Sequence, residues 1–363
     1  METDKKKILV VDDSPLMRRV LSDIINSDRR FQVCAKAVDG IEAFDLLSRE
    51  SFDAVVLDLN MPKMGGLELL SELRKYRIAV RVMIASTDSA QGAQVTLDAL
   101  ELGALDFIQK PGSTFECRGE DFTQSFLGIL YAVACSSLPA YDKPPLPVPK
   151  RQVTTPPAES RQTVSPRGIR KIVAIASSTG GPRALLSVIP QLPKDLDAPV
   201  VMVQHMPAGF TASFAERLDH ASGIEVREAK DREVLEKGVV YVAMSGRHMN
   251  IDRDFKGNLV VRYSDEARCE GVRPSANYMF SSLGNIAKLA VTCVVLTGMG
   301  SDGTDGIRAL KEKKKDVFVI TQDAESCVIY GMPKSVVNAG LSDASLSLEF
   351  IANAIEDKVG RLT

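Results

Sequence analysis

The chain has 363 residues, of which 45% are hydrophobic and 25% are charged, and its formal net charge at pH 7 is −2. A chain of this length is longer than one that folds around a single hydrophobic core, so we expect two domains. The near-zero net charge disfavours nucleic-acid binding. The sequence has no apolar run of the roughly 18 residues that a membrane helix needs, and its polar N-terminus does not match a signal peptide. The 6 cysteines include no CxxC pair. This argues against structural zinc, and we expect reduced thiols in a cytoplasmic protein.

A proline-rich stretch divides the chain. Residues 139–168 hold 8 of the 18 prolines and show no apolar periodicity, which is typical of a flexible linker. The sequence therefore predicts domains at 1–138 and 169–363. The first carries 16 Lys and Arg against 21 Asp and Glu, and the second carries 24 of each. Neither has the basic excess of a nucleic-acid-binding domain.

In the first domain, short apolar runs alternate with helical patterns. Alternation at this spacing predicts a parallel sheet covered by helices on both faces. The helix nearest the N-terminus is expected near residues 15–27, and the strands are expected at 7–11, 31–35, 54–57, 80–85 and 106–109.

Polar residues follow the predicted strands of this domain. Asp12, Asp13 and Asp58 come directly after two of them, and Ser86 and Lys110 follow two others. Because the carboxyl ends of parallel strands face one crevice, the carboxylates are expected to lie together and to suit a hard cation such as Mg²⁺. Mg²⁺ in turn suits phosphoryl transfer. The alternative is that each Asp is a helix cap or turn former.

These residues lie in motifs that resemble the receiver domain of two-component response regulators. The motifs are Val10-Val-Asp-Asp-Ser14, Leu57-Asp-Leu-Asn-Met-Pro62, Ser86 and Lys110-Pro111. The resemblance implies a flavodoxin-like doubly wound sheet. It also implies that Asp58 accepts a phosphoryl group from a histidine kinase.

The same resemblance implies roles for the neighbouring residues. Asp12 and Asp13 would hold Mg²⁺ together with Asp58 and the backbone of Asn60. Ser86 and Lys110 would sense the phosphate, and Phe107 would be the switch aromatic.

The second domain repeats the strand and helix alternation on a larger scale. It is expected to be a Rossmann-like doubly wound α/β domain. Its strands are predicted at 172–176, 200–204, 239–242, 291–296 and 317–320.

A serine-containing turn follows the first of these strands. The run Ser177-Ser-Thr-Gly-Gly-Pro182 precedes a helical run at 183–189. A serine on a tight strand-to-helix turn has an exposed hydroxyl near free helix N–H groups, as in a hydrolase nucleophile. The alternative is an ordinary glycine-rich turn.

Two further residue types needed for acyl transfer follow neighbouring strands. His205 follows 200–204, and Asp302 follows 291–296 after a short glycine-rich loop. With Ser178 they supply a nucleophile, a base and an acceptor that fixes the base. Of the other histidines, His220 is expected on a helix surface, and His248 is either structural or part of the site.

The loop Gly298-Met-Gly-Ser-Asp-Gly303 offers an alternative function. It satisfies G-x-G-x-x-G between a strand and a helix, and Asp323 ends the next predicted strand. This pattern is typical of dinucleotide binding. However, Asp302 would repel a pyrophosphate, and nucleotide binding leaves Ser178 and His205 unexplained.

Several motifs of the second domain together resemble the catalytic domain of the chemotaxis protein-glutamate methylesterases, the CheB family. They are Ser178-Thr-Gly-Gly181, Gln204-His-Met-Pro207, Gly209-Phe-Thr211, Arg273-Pro-Ser275, Leu296-Thr-Gly-Met-Gly300 with Asp302-Gly303, and Gly331-Met-Pro333. The resemblance implies hydrolysis of glutamate methyl esters and deamidation of certain glutamines on the cytoplasmic helices of chemoreceptors.

By motif, the resemblance implies that Ser178 is the nucleophile, His205 the general base and acid, and Asp302 the orienting carboxylate. The backbone N–H of Met299 would stabilise the oxyanion. A catalytic-domain cofactor and direct insertion into the membrane are not implied. We expect a monomer in which the unphosphorylated receiver covers the catalytic crevice.

The sequence departs from the family patterns at a few positions. Ala176-Ser177 replaces the usual Gly-Ala before the nucleophile, Asn277 replaces a common Asp, and Gly65 replaces a common Asp of the receiver. These changes remove no member of the triad. Two other functions remain as alternatives: a response regulator with a DNA-binding output, and a phosphorylated scaffold with an inactive triad.

Overall fold

The computed structural model describes residues 5–86, 90–113, 116–136 and 168–362. The chain divides into two compact units, Met1–Pro144 and Pro145–Thr363. Except for Gly168, the predicted linker 139–168 lies outside the described residues. In the described ranges, no helix combines the length and the apolar character needed to cross a membrane.

Among the described residues, the first unit contains five strands and five α-helices. The strands are β1 (Lys6–Val11), β2 (Phe31–Ala37), β3 (Ala54–Leu57), β4 (Val82–Ser86) and β5 (Asp106–Gln109). The helices are α1 (Pro15–Ser27), α2 (Gly40–Arg49), α3 (Gly66–Lys75), α4 (Ala90–Leu102) and α5 (Glu120–Cys135).

The five strands form one parallel sheet in the order β2-β1-β3-β4-β5. This order confirms the flavodoxin-like fold. Each strand lies at its predicted place, although β1 begins one residue earlier, β2 ends two residues later, and β4 begins later and includes Ser86. The chain reverses direction across the sheet between β1 and β3, which is where such folds bind ligands. Asp12 and Asp58 directly follow these two strands.

From Gly168 to Leu362, the part of the second unit that the structure describes, there are nine strands and six α-helices. The strands are β6 (Lys171–Ser177), β7 (Val200–Gln204), β8 (Glu225–Glu228), β9 (Val239–Val242), β10 (His248–Arg253), β11 (Leu259–Ser264), β12 (Ala290–Val295), β13 (Val317–Gln322) and β14 (Ala344–Leu346). The helices are α6 (Gly181–Val188), α7 (Phe210–Ala221), α8 (Ala276–Leu283), α9 (Thr304–Lys313), α10 (Met332–Asn338) and α11 (Leu348–Val359).

Seven of these strands form a parallel sheet in the order β14-β13-β12-β6-β7-β9-β8. After β6, the chain adds β7, β8 and β9 on one side of this strand and then crosses to β12 on the other side. The predicted doubly wound α/β class is therefore confirmed. The switch point lies between β6 and β12. The carboxyl ends of β6, β7 and β12 are therefore adjacent, at the edge where ligands bind in such folds.

The central strands are buried on both faces. All residues from Ile172 to Ala176 are buried, as are those of β7, because helices cover both sides of the sheet. The sequence analysis missed four strands, of which β8 and β14 are short and β10 and β11 form an antiparallel pair outside the main sheet.

Candidate functional site

The second unit brings the three predicted triad residues to one edge of its sheet. Ser178 follows β6, His205 follows β7, and Asp302 lies in the loop after β12. Since β6 pairs with both β7 and β12, the three loops are neighbours. The pairing of these strands therefore brings together residues that are far apart in sequence.

Ser178 lies in a tight turn between β6 and α6. Its carbonyl accepts a hydrogen bond from the N–H of Gly181 at 2.7 Å, and its own N–H donates to the Thr297 carbonyl at 3.1 Å. Gly180 has φ +76°, the left-handed region that favours glycine. At Gly298, a Cβ atom would lie 2.8 Å from Ser178 Cβ, so this position requires glycine.

His205 is joined directly to Asp302. Its Nε2 lies 2.8 Å from Asp302 Oδ2, and both side chains are largely buried. This contact leaves Nδ1 as the ring nitrogen available to accept a proton. Within the described part of the chain, the Ser178 hydroxyl makes no hydrogen bond, and catalytic hydrogen bonds often form only when substrate is bound.

Asp302 is held by several donors in addition to His205. Its Oδ1 accepts from the Ser275 hydroxyl at 2.6 Å, and its Oδ2 accepts from the Ala276 N–H at 2.7 Å. Burial alone would raise the pKa of this carboxyl, but the hydrogen bonds from His205, Ser275 and Ala276 lower the pKa below its usual value. Asp302 is therefore ionised and fixed, as an orienting carboxylate must be.

The N-terminus of α9 is already occupied by a side chain of the protein. Asn277 Oδ1 accepts hydrogen bonds from the N–H groups of Gly303 at 3.0 Å and Gly306 at 2.7 Å. A dinucleotide site would need these groups for a pyrophosphate. Because Asn277 caps the helix and Asp302 adds negative charge, the geometry does not favour nucleotide binding at Gly298–Gly303.

Met299 lies between Gly298 and Gly300 at the edge of this site. Its side chain is 43% exposed, which is unusual for a large apolar residue. Its backbone N–H donates to no residue that the structure describes. An N–H without a partner beside the Ser178 turn is suited to stabilise an oxyanion.

The other two histidines lie outside the triad. His220 is an exposed residue of α7, as expected. His248 is buried and stacks on Tyr278 at 4.0 Å between ring centroids. Its Nδ1 accepts from the Ser275 N–H at 3.2 Å, and its Nε2 lies 3.0 Å from the Ala267 carbonyl. His248 is thus structural and supports the segment that binds Asp302.

The first unit brings together the carboxylates predicted to hold Mg²⁺. Ligand oxygens of Asp12, Asp13 and Asp58 all lie within 4.8 Å of one another. The Lys110 ammonium lies 2.7 Å from Asp12 and 3.1 Å from Asp58. Three carboxylates and one ammonium leave two negative charges, and oxygen ligands of this charge fit Mg²⁺.

Asp58 lies in the centre of this acidic group. It is buried, and one of its oxygens accepts from the Leu59 N–H at 2.9 Å. Burial raises the pKa of its carboxyl, the Asp12 charge adds to this rise, and the Lys110 charge opposes it.

The remaining predicted residues of the first unit lie in β4, in β5 and in the loop after β3. Ser86 Oγ lies 2.9 Å from Thr96 Oγ1, and the Ser86 carbonyl accepts from the Lys110 N–H at 2.6 Å. Phe107 is buried in β5. The metal contact of the Asn60 backbone stays a prediction. Gly65 precedes α3 and provides no capping side chain, but the Glu68 carboxylate accepts from the Gly65 N–H at 3.0 Å.

Two protein families match the two units. The CheB methylesterase family matches residues 173–355, and the response regulator receiver domain matches residues 8–118. The chain belongs to the CheB methylesterase family. The motif resemblances of both domains are thereby confirmed.

Full-length relatives carry the same combination of domains. The "Protein-glutamate methylesterase/protein-glutamine glutaminase" of Pyrococcus horikoshii is 39% identical over 97% of this chain and 93% of the relative. The protein of that name from Bacillus subtilis is 39% identical over 96% of this chain and 97% of the relative. The crystal structure of the Thermotoga maritima CheB methylesterase catalytic domain is 41% identical, with a TM-score of 0.50, and covers 52% of this chain and 98% of that one.

Sequence reasoning missed several residues that hold the site together. Ser275 and Asn277 were known only as parts of motifs, and Gln204 only as the residue before His205. Their hydrogen bonds to Asp302, to α9 and to the catalytic loops are visible only in the folded chain. A signal was present for Ser275, because serine before a helix is a common N-cap.

Proposed function

We propose that this protein hydrolyses glutamate methyl esters on the cytoplasmic helices of chemoreceptors, with release of methanol, and deamidates certain glutamines there. The observation that carries the proposal is the 2.8 Å contact of His205 with the buried Asp302 beside the Ser178 turn. An oriented histidine next to a serine on a strand-to-helix turn is the arrangement that acyl transfer requires. Membership of the CheB methylesterase family supports the choice of ester.

In the mechanism that follows, the Ser178 hydroxyl attacks the ester carbonyl while His205 takes its proton. Asp302 keeps the imidazole in place and stabilises the positive charge. The Met299 N–H donates to the oxyanion, a contact typically worth about 10²–10³ in rate. The His205 proton then passes to the leaving methoxide oxygen, which departs as methanol, or to the leaving amide nitrogen of a glutamine, which departs as ammonia. Water deprotonated by His205 hydrolyses the acyl enzyme, which regenerates Ser178 and leaves glutamate.

Methanol release from methylated receptor membranes tests this proposal. We expect the unaltered protein to release methanol and Ser178→Ala to lose about 10⁴–10⁶-fold in kcat, because the nucleophile is absent. The matched control is Ser177→Ala, which removes one serine hydroxyl from the same turn. It should retain far more methanol-releasing activity than Ser178→Ala. Methanol release that survives in Ser178→Ala argues against Ser178 as the nucleophile, and release that is absent from both proteins argues for a scaffold with an inactive triad.

Regulation would begin at Asp58, which is proposed to accept a phosphoryl group from a histidine kinase in the cytoplasm. Asp12 and Asp13 would hold Mg²⁺ together with Asp58 and the Asn60 backbone, and the ion would neutralise charge on the phosphoryl oxygens. Ser86 and Lys110 would contact the phosphate, a role that the 3.1 Å contact of Lys110 with Asp58 supports, and Phe107 is proposed to respond to it. Phosphorylation would free a catalytic crevice that the receiver otherwise inhibits, within a monomer.

A further inference from the structure

Ser177 and Gln204 are opposite each other at the ends of two neighbouring strands. In the parallel register of β6 and β7, Ser177 pairs directly with Gln204. Both are polar, and both are almost completely buried, with 0% and 1% of their surface exposed. The residues that immediately follow them are Ser178 and His205. A buried polar pair next to two catalytic residues requires an explanation, because unpaired polar groups are costly inside a protein.

The side-chain amide of Gln204 donates hydrogen bonds to both catalytic loops. Its Nε2 donates to the Ser178 carbonyl at 3.0 Å and to the His205 carbonyl at 2.9 Å. Both hydrogens of one amide nitrogen are thereby used. The amide forms a bridge between the loop that carries the nucleophile and the loop that carries the base.

The Ser177 hydroxyl binds the oxygen of this amide, whose orientation the Ser178 and His205 carbonyls fix. It donates to Gln204 Oε1 at 2.7 Å, and a flipped amide would place an oxygen against two carbonyl oxygens. Gly181 leaves room for this arrangement, since a Cβ atom there would lie 1.9 Å from Gln204 Oε1. The hydroxyl at 177 is therefore part of a complete network rather than an isolated substitution.

We propose that Gln204 is a positioning residue that fixes the separation of Ser178 and His205, and that the Ser177 hydroxyl holds its amide oxygen in place. The inference rests on the proposed serine-based hydrolysis. Its physical basis is that displacing a reacting group by about 1 Å can cost about 10²-fold in rate.

The test measures how fast a fluorophosphonate probe labels Ser178 in the full-length protein. The serine oxygen forms a bond to phosphorus, fluoride leaves, and His205 takes the serine proton, so the rate reports their alignment without a receptor substrate. Gln204→Met is expected to slow labelling by about 10²-fold. Ser177→Ala is expected to slow it by about threefold to tenfold, as the loss of one buried hydrogen bond implies.

Control variants separate an effect on the alignment of Ser178 with His205 from a loss of folding stability. Thr321→Val removes another buried hydroxyl of the same sheet, which contacts Ser342, and should leave the labelling rate within twofold. In the Gln204→Met background, Ser177→Ala should change the rate by less than twofold, because its partner is already absent. The pH profile of labelling and the melting temperature are measured for each variant.

Labelling within twofold of the unaltered protein in folded Gln204→Met overturns the inference. If that variant does not fold, Ser177→Ala decides, because it removes a single hydroxyl and leaves the Gln204 amide in place: an unchanged rate overturns the inference and a slowed rate supports it. Probe labelling of Ser178 without methanol release from receptor membranes contradicts the proposed substrate and leaves the positioning test valid.

Discussion

At the residue scale, Asp302 determines whether the candidate triad functions. It lies 2.8 Å from His205 Nε2 and accepts further hydrogen bonds from Ser275 and the N-terminus of α8. We expect Asp302→Asn to lower kcat by about 10⁴-fold, because an amide does not hold the imidazole in the required tautomer. Methanol release measures this, with the melting temperature as a control for folding. A loss of less than tenfold in a folded variant contradicts the assigned role.

The same carboxyl links stability to pH. Because its pKa is lowered in the folded state, Asp302 stabilises the fold above the ordinary carboxyl pKa of about 4. This stabilisation is lost as the pH falls below that value and through the lower folded pKa. Denaturant unfolding between pH 7 and pH 3 should therefore show a smaller loss of stability in Asp302→Asn than in the unaltered protein. Parallel pH curves for the two contradict this linkage.

At the element scale, α8 and α9 are joined by Asn277. This side chain is in α8, yet its Oδ1 caps the first turn of α9 through Gly303 and Gly306. Its Nδ2 also donates to Glu270 at 3.3 Å. The cap fixes the loop that carries Asp302, so a departure from the family pattern still performs a structural function here.

Two variants test this cap. Asn277→Ala should lower the free energy of unfolding by about 1–2 kcal/mol, because two N–H groups of α9 lose their acceptor. Asn277→Asp should retain most of the stability, since a carboxylate also accepts from a helix N-terminus and is favoured by its dipole. Urea unfolding compares the two. Equal losses for both variants indicate that the oxygen at 277 does not cap α9.

At the scale of the whole molecule, a receiver and a catalytic domain share one chain, and residues 139–168 separate them in sequence. We expect deletion of 1–168 to raise basal methanol release, because a receiver that covers the crevice would be removed. Gly168 and the described residues after it belong to the second compact unit, Pro145–Thr363, which has its own core. Unchanged or lower activity in a folded fragment argues against inhibition.

The effect of phosphorylation provides the matching control for the deletion. If the receiver inhibits, phosphorylation of Asp58 should raise methanol release in the full chain and leave the fragment unchanged. Asp58→Asn removes the acceptor and should abolish the increase. An increase that persists in Asp58→Asn places the regulatory phosphoryl group elsewhere.

Both fold classes could be predicted from the sequence, because buried parallel strands are continuous apolar runs that can be recognised locally. The sequence also indicated Ser178, His205 and Asp302, and Asp12, Asp13 and Asp58, since each follows a strand and the strand-end rule needs no distances. Strands β8 and β14 were missed because they are edge strands with few buried residues, and β10 and β11 were missed because they lie outside the main sheet.

The hydrogen bonds that support the site can be identified only in the folded structure. Whether Gly298–Gly303 had room for a nucleotide depended on Asn277, which is more than twenty residues away in sequence and caps α9. The Ser177 hydroxyl had no assigned partner until register placed it opposite Gln204. The physical reason is that hydrogen bonds between side chains distant in sequence form through packing and register, which local patterns do not encode.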